Sequence, residues 1–72
     1  MYRATVKFTV FGLGDDVRLV MAKSYKELNE KVDNLVEYIN NKKTEMLETV
    51  ITSKVNTVVY NYPSGKSFTK RF

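Results

Sequence analysis

The chain reads as a small α+β domain of two layers, in the order β-β-α-β-β with room for a fifth strand, in which one helix packs on one face of an antiparallel sheet. Three observations predict it. Tyr2 to Val10 alternates apolar and polar residues without a break; Ser24 and Glu27 form an S-x-x-E capping box ahead of a helical apolar pattern; and the chain beyond Thr44 is rich in β-branched and aromatic residues.

The first strand places Tyr2, Ala4, Val6, Phe8 and Val10 on one face and Arg3, Thr5, Lys7 and Thr9 on the other. Gly12, Gly14, Asp15 and Asp16 then favour a turn, and Val17, Leu19 and Met21 recur at period two, so residues 2–23 read as a hairpin. In the helix, Tyr25, Leu28, Val32, Leu35, Val36 and Ile39 fall in one stripe, while Lys26, Glu30, Asp33, Asn34, Glu37 and Asn41 form a mildly acidic outer face. Asn40, Asn41, Lys42 and Lys43 make its end.

Further on, Lys54 to Asn56 reads either as a turn or as part of one long bent strand over residues 46–62. Pro63, Ser64, Gly65 and Lys66 form a tight loop, because proline presets φ and glycine accepts a positive one, and Ser67 to Phe72 returns as a final strand. A single helix covers only one side of such a sheet. The open side carries Arg3, Thr5, Lys7 and Thr9 and is therefore polar and slightly basic.

The 72 residues make one domain, 1–72, with 43% apolar and 28% charged side chains, near the globular average. A core this small leaves self-association, as a homodimer, as a way to bury more surface. Cysteine and histidine are both absent, which removes disulfides, thiol nucleophiles, the usual zinc sites and the commonest general base. The N-terminus runs into the first strand with no signal-like apolar core, and the longest apolar run, Leu19 to Ala22, is far shorter than the roughly 20 residues of a spanning helix. The expectation is a cytoplasmic protein without membrane contact.

Motifs for chemistry do not assemble. Gly65, Lys66 and Ser67 match the end of a phosphate-binding loop, but Tyr60 stands where its first glycine belongs, and only five residues follow Ser67. The Gly12/Gly14 pair lacks the third glycine of a dinucleotide fingerprint, with Val17 at that position. Asp15 and Asp16 are adjacent carboxylates without further nameable ligands, so no metal or cofactor is assigned. Glu30, Asp33 and Glu37 share the solvent side of the helix, where carboxylates are solvated, so no acid/base role is expected of them.

Charge is the most informative feature. The net charge of +4 lies wholly after Glu48, where Lys54, Lys66, Lys70 and Arg71 stand among Tyr60, Tyr62, Phe68 and Phe72 with no acidic residue. Basic and aromatic residues together suit phosphates and stacked bases. The expected function is a non-enzymatic binding module contacting nucleic acid through this C-terminal hairpin, with Lys54, Tyr60, Tyr62, Lys66, Phe68, Lys70 and Arg71 as its site. The same rings also suit a core, because a small domain needs large anchors. The alternative is a protein-binding accessory or inhibitory factor, of the kind a phage or mobile element carries, acting through a sheet face or edge and as a homodimer. Lys54, Lys66 and Lys70 equally suit protection of an edge against pairing.

Overall fold

The computed structural model describes residues 1–46 and 49–72. Strands β1 (Tyr2–Val10) and β2 (Gly14–Ala22) precede a single helix, α1 (Tyr25–Asn41), and β3 (Lys43–Met46), β4 (Thr49–Asn61) and β5 (Ser67–Arg71) follow it. All pairings are antiparallel, in the order β2-β1-β4, with β3 and β5 both lying along the far side of β4. This is the predicted α+β architecture with its fifth strand present.

Loop length fixes which side chains share a face. Val10 pairs with Gly14 across a three-residue loop, in which Leu13 N–H donates to the Val10 carbonyl at 3.0 Å and Gly12 takes φ 89°. An odd loop keeps parity, so even residues of β1 face even residues of β2. Ala4, Val6, Phe8 and Ala22 are thereby buried under the helix. Val17, Leu19 and Met21 consequently lie on the open face beside Arg3, Thr5 and Lys7, and that face is more apolar along β2 than alternation in β1 alone predicts.

Ser24 caps α1 as expected: its backbone is extended and its Oγ accepts the Glu27 N–H at 3.2 Å. The Glu27 carboxylate reaches back to the Lys23 N–H at 3.4 Å, one residue earlier than in the standard box. Leu28, Val32 and Ile39 are buried against the sheet, with Leu35 and Val36 packed at the margin. The helix ends as Lys42 turns extended, and its Nζ sits 5.8 Å from the Tyr38 ring centroid.

The ambiguity around Lys54 to Asn56 resolves as a strand. β4 runs without interruption from Thr49 to Asn61, and the part of the long-strand reading that falls on residues 47 and 48 lies outside the described residues. Lys7 pairs with Thr57 but Phe8 with Val55, so Asn56 is an extra residue, a β-bulge. The bulge shifts the inward parity of β4 from odd to even, which lets Val55, Val58 and Tyr60 all reach the core. Asn56 turns its side chain outward instead, and Nδ2 donates to Thr9 Oγ1 at 2.7 Å.

The molecule is elongated, 47 × 18 × 16 Å, because β3 and the first half of β4 extend past the helix. Its radius of gyration of 13.6 Å exceeds the roughly 11 Å of a spherical domain this long.

Candidate functional site

The C-terminal hairpin is built as expected. Tyr62 N–H donates to the Lys66 carbonyl at 2.9 Å, Gly65 N–H donates to the Tyr62 carbonyl at 3.0 Å, and Gly65 holds φ 88°. Ser67 begins a strand, so Gly65, Lys66 and Ser67 form a hairpin loop and not a phosphate cradle ahead of a helix.

Register separates the seven residues singled out from the sequence. Tyr60 pairs with Phe68 and Val58 with Lys70, so the rings and Lys70 stand on the helix side of the sheet. Tyr60 is a core residue, 6% exposed, as the packing reading of these rings has it. Its ring lies 6.1 Å from that of Phe68, whose outer surface is open to solvent. Tyr62 is half-buried between Tyr2, centroid 6.0 Å away, and Tyr25, 5.6 Å away. Lys70 Nζ lies 5.2 Å from the Phe72 ring centroid. Lys66 is exposed in the loop.

Lys54 and Arg71 belong to the opposite side. Lys54 pairs with Thr9, and Arg71 pairs with Thr57, which in turn pairs with Lys7. Lys7, Thr57 and Arg71 therefore form one cross-strand row, with the two cations separated by two strand spacings, about 10 Å. Arg3 stands on the same face four residues from Lys7, in the row of Asn61 and Ser67. Arg3, Lys7, Lys54 and Arg71 are all exposed. Over β1, β4 and β5 this face carries no carboxylate and no aromatic ring. Among the described residues its acidic groups are Asp15, at the β2 end, whose Oδ1 accepts the Thr9 hydroxyl at 2.6 Å, and Glu45, on the β3 arm.

Arg3 and Lys7 lie outside the set named from the sequence. Alternation already put them on the open face, but only the β1–β4–β5 register sets Lys7 level with Arg71.

A cleft of about 290 Å³ lies on the helix side between α1 and β5, with Tyr25, Tyr60, Tyr62 and Phe68 on its walls, Asp33 on the helix and Lys70 on the strand. Burial pushes the Tyr60 hydroxyl above its ordinary pKa, and the Asp33 charge adds to the shift. Burial raises Tyr62 as well, with the neighbouring Tyr25 adding to it. Glu30, Asp33 and Glu37 are exposed along the helix. Asp15 and Asp16 diverge to opposite faces of β2, and Asp16 Oδ1 accepts the Val17 N–H at 2.8 Å.

No protein-family model, curated protein or solved structure matches this chain. Among the described residues, no helix is long and apolar enough to cross a membrane.

Proposed function

We propose that this chain is a small non-enzymatic binding module that contacts nucleic-acid phosphates through the open face of its sheet, with Arg3, Lys7, Lys54 and Arg71 as the cations. The observation that carries the reading is the convergence of these side chains, from three strands, on a solvent-facing surface that lacks carboxylates over β1, β4 and β5. Threonines 5, 57 and 69 stand between them as hydroxyl donors for phosphate oxygens.

The reading keeps Lys54 and Arg71 from the basic C-terminal segment and joins them to Arg3 and Lys7. It assigns the rings a structural part, since Tyr60 packs in the core and the open face offers no base a ring to stack on. Contact is then mainly to the backbone of the nucleic acid, insensitive to sequence and steep in salt.

Fluorescence anisotropy with labelled single- and double-stranded oligonucleotides, between about 50 and about 200 mM salt, tests this. The expected log–log slope is about 3 to 4 if all four cations meet phosphates. Joint replacement of Arg3, Lys7 and Arg71 by alanine should abolish most of the binding, and joint replacement of Lys66 and Lys70 should leave most of it. Absence of binding at the lower salt, or loss confined to the Lys66/Lys70 variant, refutes the proposal.

A further inference from the structure

The sheet has free margins on both sides, and β5 and β2 differ in chemistry. β5 is short and carries Lys70 and Arg71, the charged pattern that keeps an edge from pairing. β2 is a nine-residue edge strand whose open face presents Val17, Leu19 and Met21, exposed by 48%, 77% and 54%. An apolar stripe on a free edge is the arrangement from which strand addition proceeds.

We propose that β2 pairs antiparallel with β2 of a second copy of this chain, about a two-fold axis through Leu19. The inference is independent of nucleic-acid contact.

Backbone direction permits it. Phe11 N–H donates to the Thr52 carbonyl on β4, so odd peptides of β1 face β4 and even ones face β2. Even residues of β2 answer them, and the odd residues Asp15, Val17, Leu19 and Met21 turn their N–H and C=O groups to the free edge. Side chains of the same protomer already occupy some of these groups. Asp16 takes the Val17 N–H at 2.8 Å, and Lys31 Nζ donates to the Met21 carbonyl at 3.1 Å. Leu19 lies between the two capped positions, and among the described residues no side chain caps its N–H or C=O. An axis through Leu19 pairs that peptide with its own copy, while Asp16 and Lys31, both exposed, release Val17 and Met21 to each other across the axis.

Side-chain complementarity selects the same register. With the axis at Leu19, Leu19 faces Leu19 of the second copy, Val17 faces Met21, and Asp15 comes opposite Lys23, twice over by symmetry. An axis at Arg18 sets Arg18 against Arg18, and an axis at Val17 sets Asp15 against Leu19, so both oppose unlike or repelling groups. A two-fold axis normal to the sheet also leaves the two open faces on one side of a continuous sheet.

Because the chain contains no cysteine, a single introduced thiol reports the pairing. Across a hydrogen-bonded antiparallel pair the Cα atoms lie about 5.5 Å apart, within disulfide reach. Mild oxidation of the full chain should cross-link Leu19→Cys rapidly and leave Thr69→Cys, on the β5 edge, largely monomeric. Analytical ultracentrifugation of the unmodified chain should show a concentration-dependent dimer, and Leu19→Lys should sediment as a monomer with an unchanged circular dichroism spectrum. A native chain that stays monomeric at millimolar concentration overturns the proposal. So does a dimer that survives Leu19→Lys, or one that cross-links through position 69 in preference to 19.

Discussion

The side chain of Asn40 accepts the backbone N–H of Val55 at 2.9 Å, tying the last turn of the helix to the middle of β4. The contact sits where β4 changes partners. β3 serves its outer side as far as Thr52 and β5 resumes at Thr57, which leaves residues 53–56 paired with no strand on that side, while β1 continues along the other. Val55 is fully buried, so its N–H needs an acceptor from the fold, and Asn40 supplies one while Phe72 N–H takes the Asn56 carbonyl at 3.0 Å. Asn40→Ala should therefore cost about 1–3 kcal/mol in urea unfolding, the range for orphaning a buried donor. Asn40→Asp, which keeps an acceptor, should cost less. Equal losses in the two variants would show that the side chain acts by packing alone.

Asn56 supports a prediction that runs against the usual effect of deletions. It is the extra residue of the bulge, so removing it leaves Val55, Thr57 and Val58 in unbroken alternation, with Val58 and Tyr60 still facing the helix. The deletion should keep a cooperative thermal transition, weakened by loss of the bonds to Thr9 and Phe72. Deleting Val59 instead turns Tyr60 to the open face and should abolish the transition. Two deletions that behave alike would contradict this assignment of the bulge.

The same residue marks how far the sequence could be read. Strict alternation in β1 and the Ser24 cap each use one local rule, and both elements form where those rules put them. Alternation fails at Asn56, and a break of one residue looks the same from the sequence whether the chain turns or bulges; only pairing with β1 decides. Residue type placed Lys70 and Arg71 in one basic segment, yet they occupy opposite faces, because neighbours in a strand always do. The row that joins Arg71 to Lys7 depends on register between residues 64 positions apart in the chain, which no local pattern encodes. The Leu19 stripe was visible as period two, but its direction depends on the parity of the three-residue loop.

Glu27 makes the start of the helix sensitive to acid. The Lys31 side chain, 3.2 Å away, and the Lys23 N–H hold its carboxyl below its ordinary pKa of 4.5. A carboxyl with a depressed folded-state pKa binds its proton more weakly in the folded chain than in the unfolded one. Its contribution is thus complete above the ordinary value and fades as pH falls through the folded value. Stability measured from neutral pH downward should decline below that value, and Glu27→Gln should flatten this part of the profile. Because the pair is exposed to solvent, added salt should shrink the difference. Ser24→Ala should lower stability by about 1 kcal/mol at every pH, since its hydroxyl does not titrate.

At the alkaline end the sign reverses. Tyr60 and Tyr62 are both raised above the ordinary tyrosine value of 10.0, chiefly by burial, so the folded chain holds their protons more tightly than the unfolded chain does. Their contribution is complete below pH 10 and is lost as pH rises through the folded values. A titration followed by phenolate absorbance should show these two ionising above the ordinary tyrosine value, and Tyr60→Phe should delete one late step. Unfolding experiments in the same window should find the Tyr60→Phe protein losing less stability with rising pH than the parent. If Tyr60 and Tyr62 ionise at the ordinary tyrosine value in a chain that remains folded, the packing of Tyr60 against Phe68 and of Tyr62 against Tyr25 is too loose to exclude water.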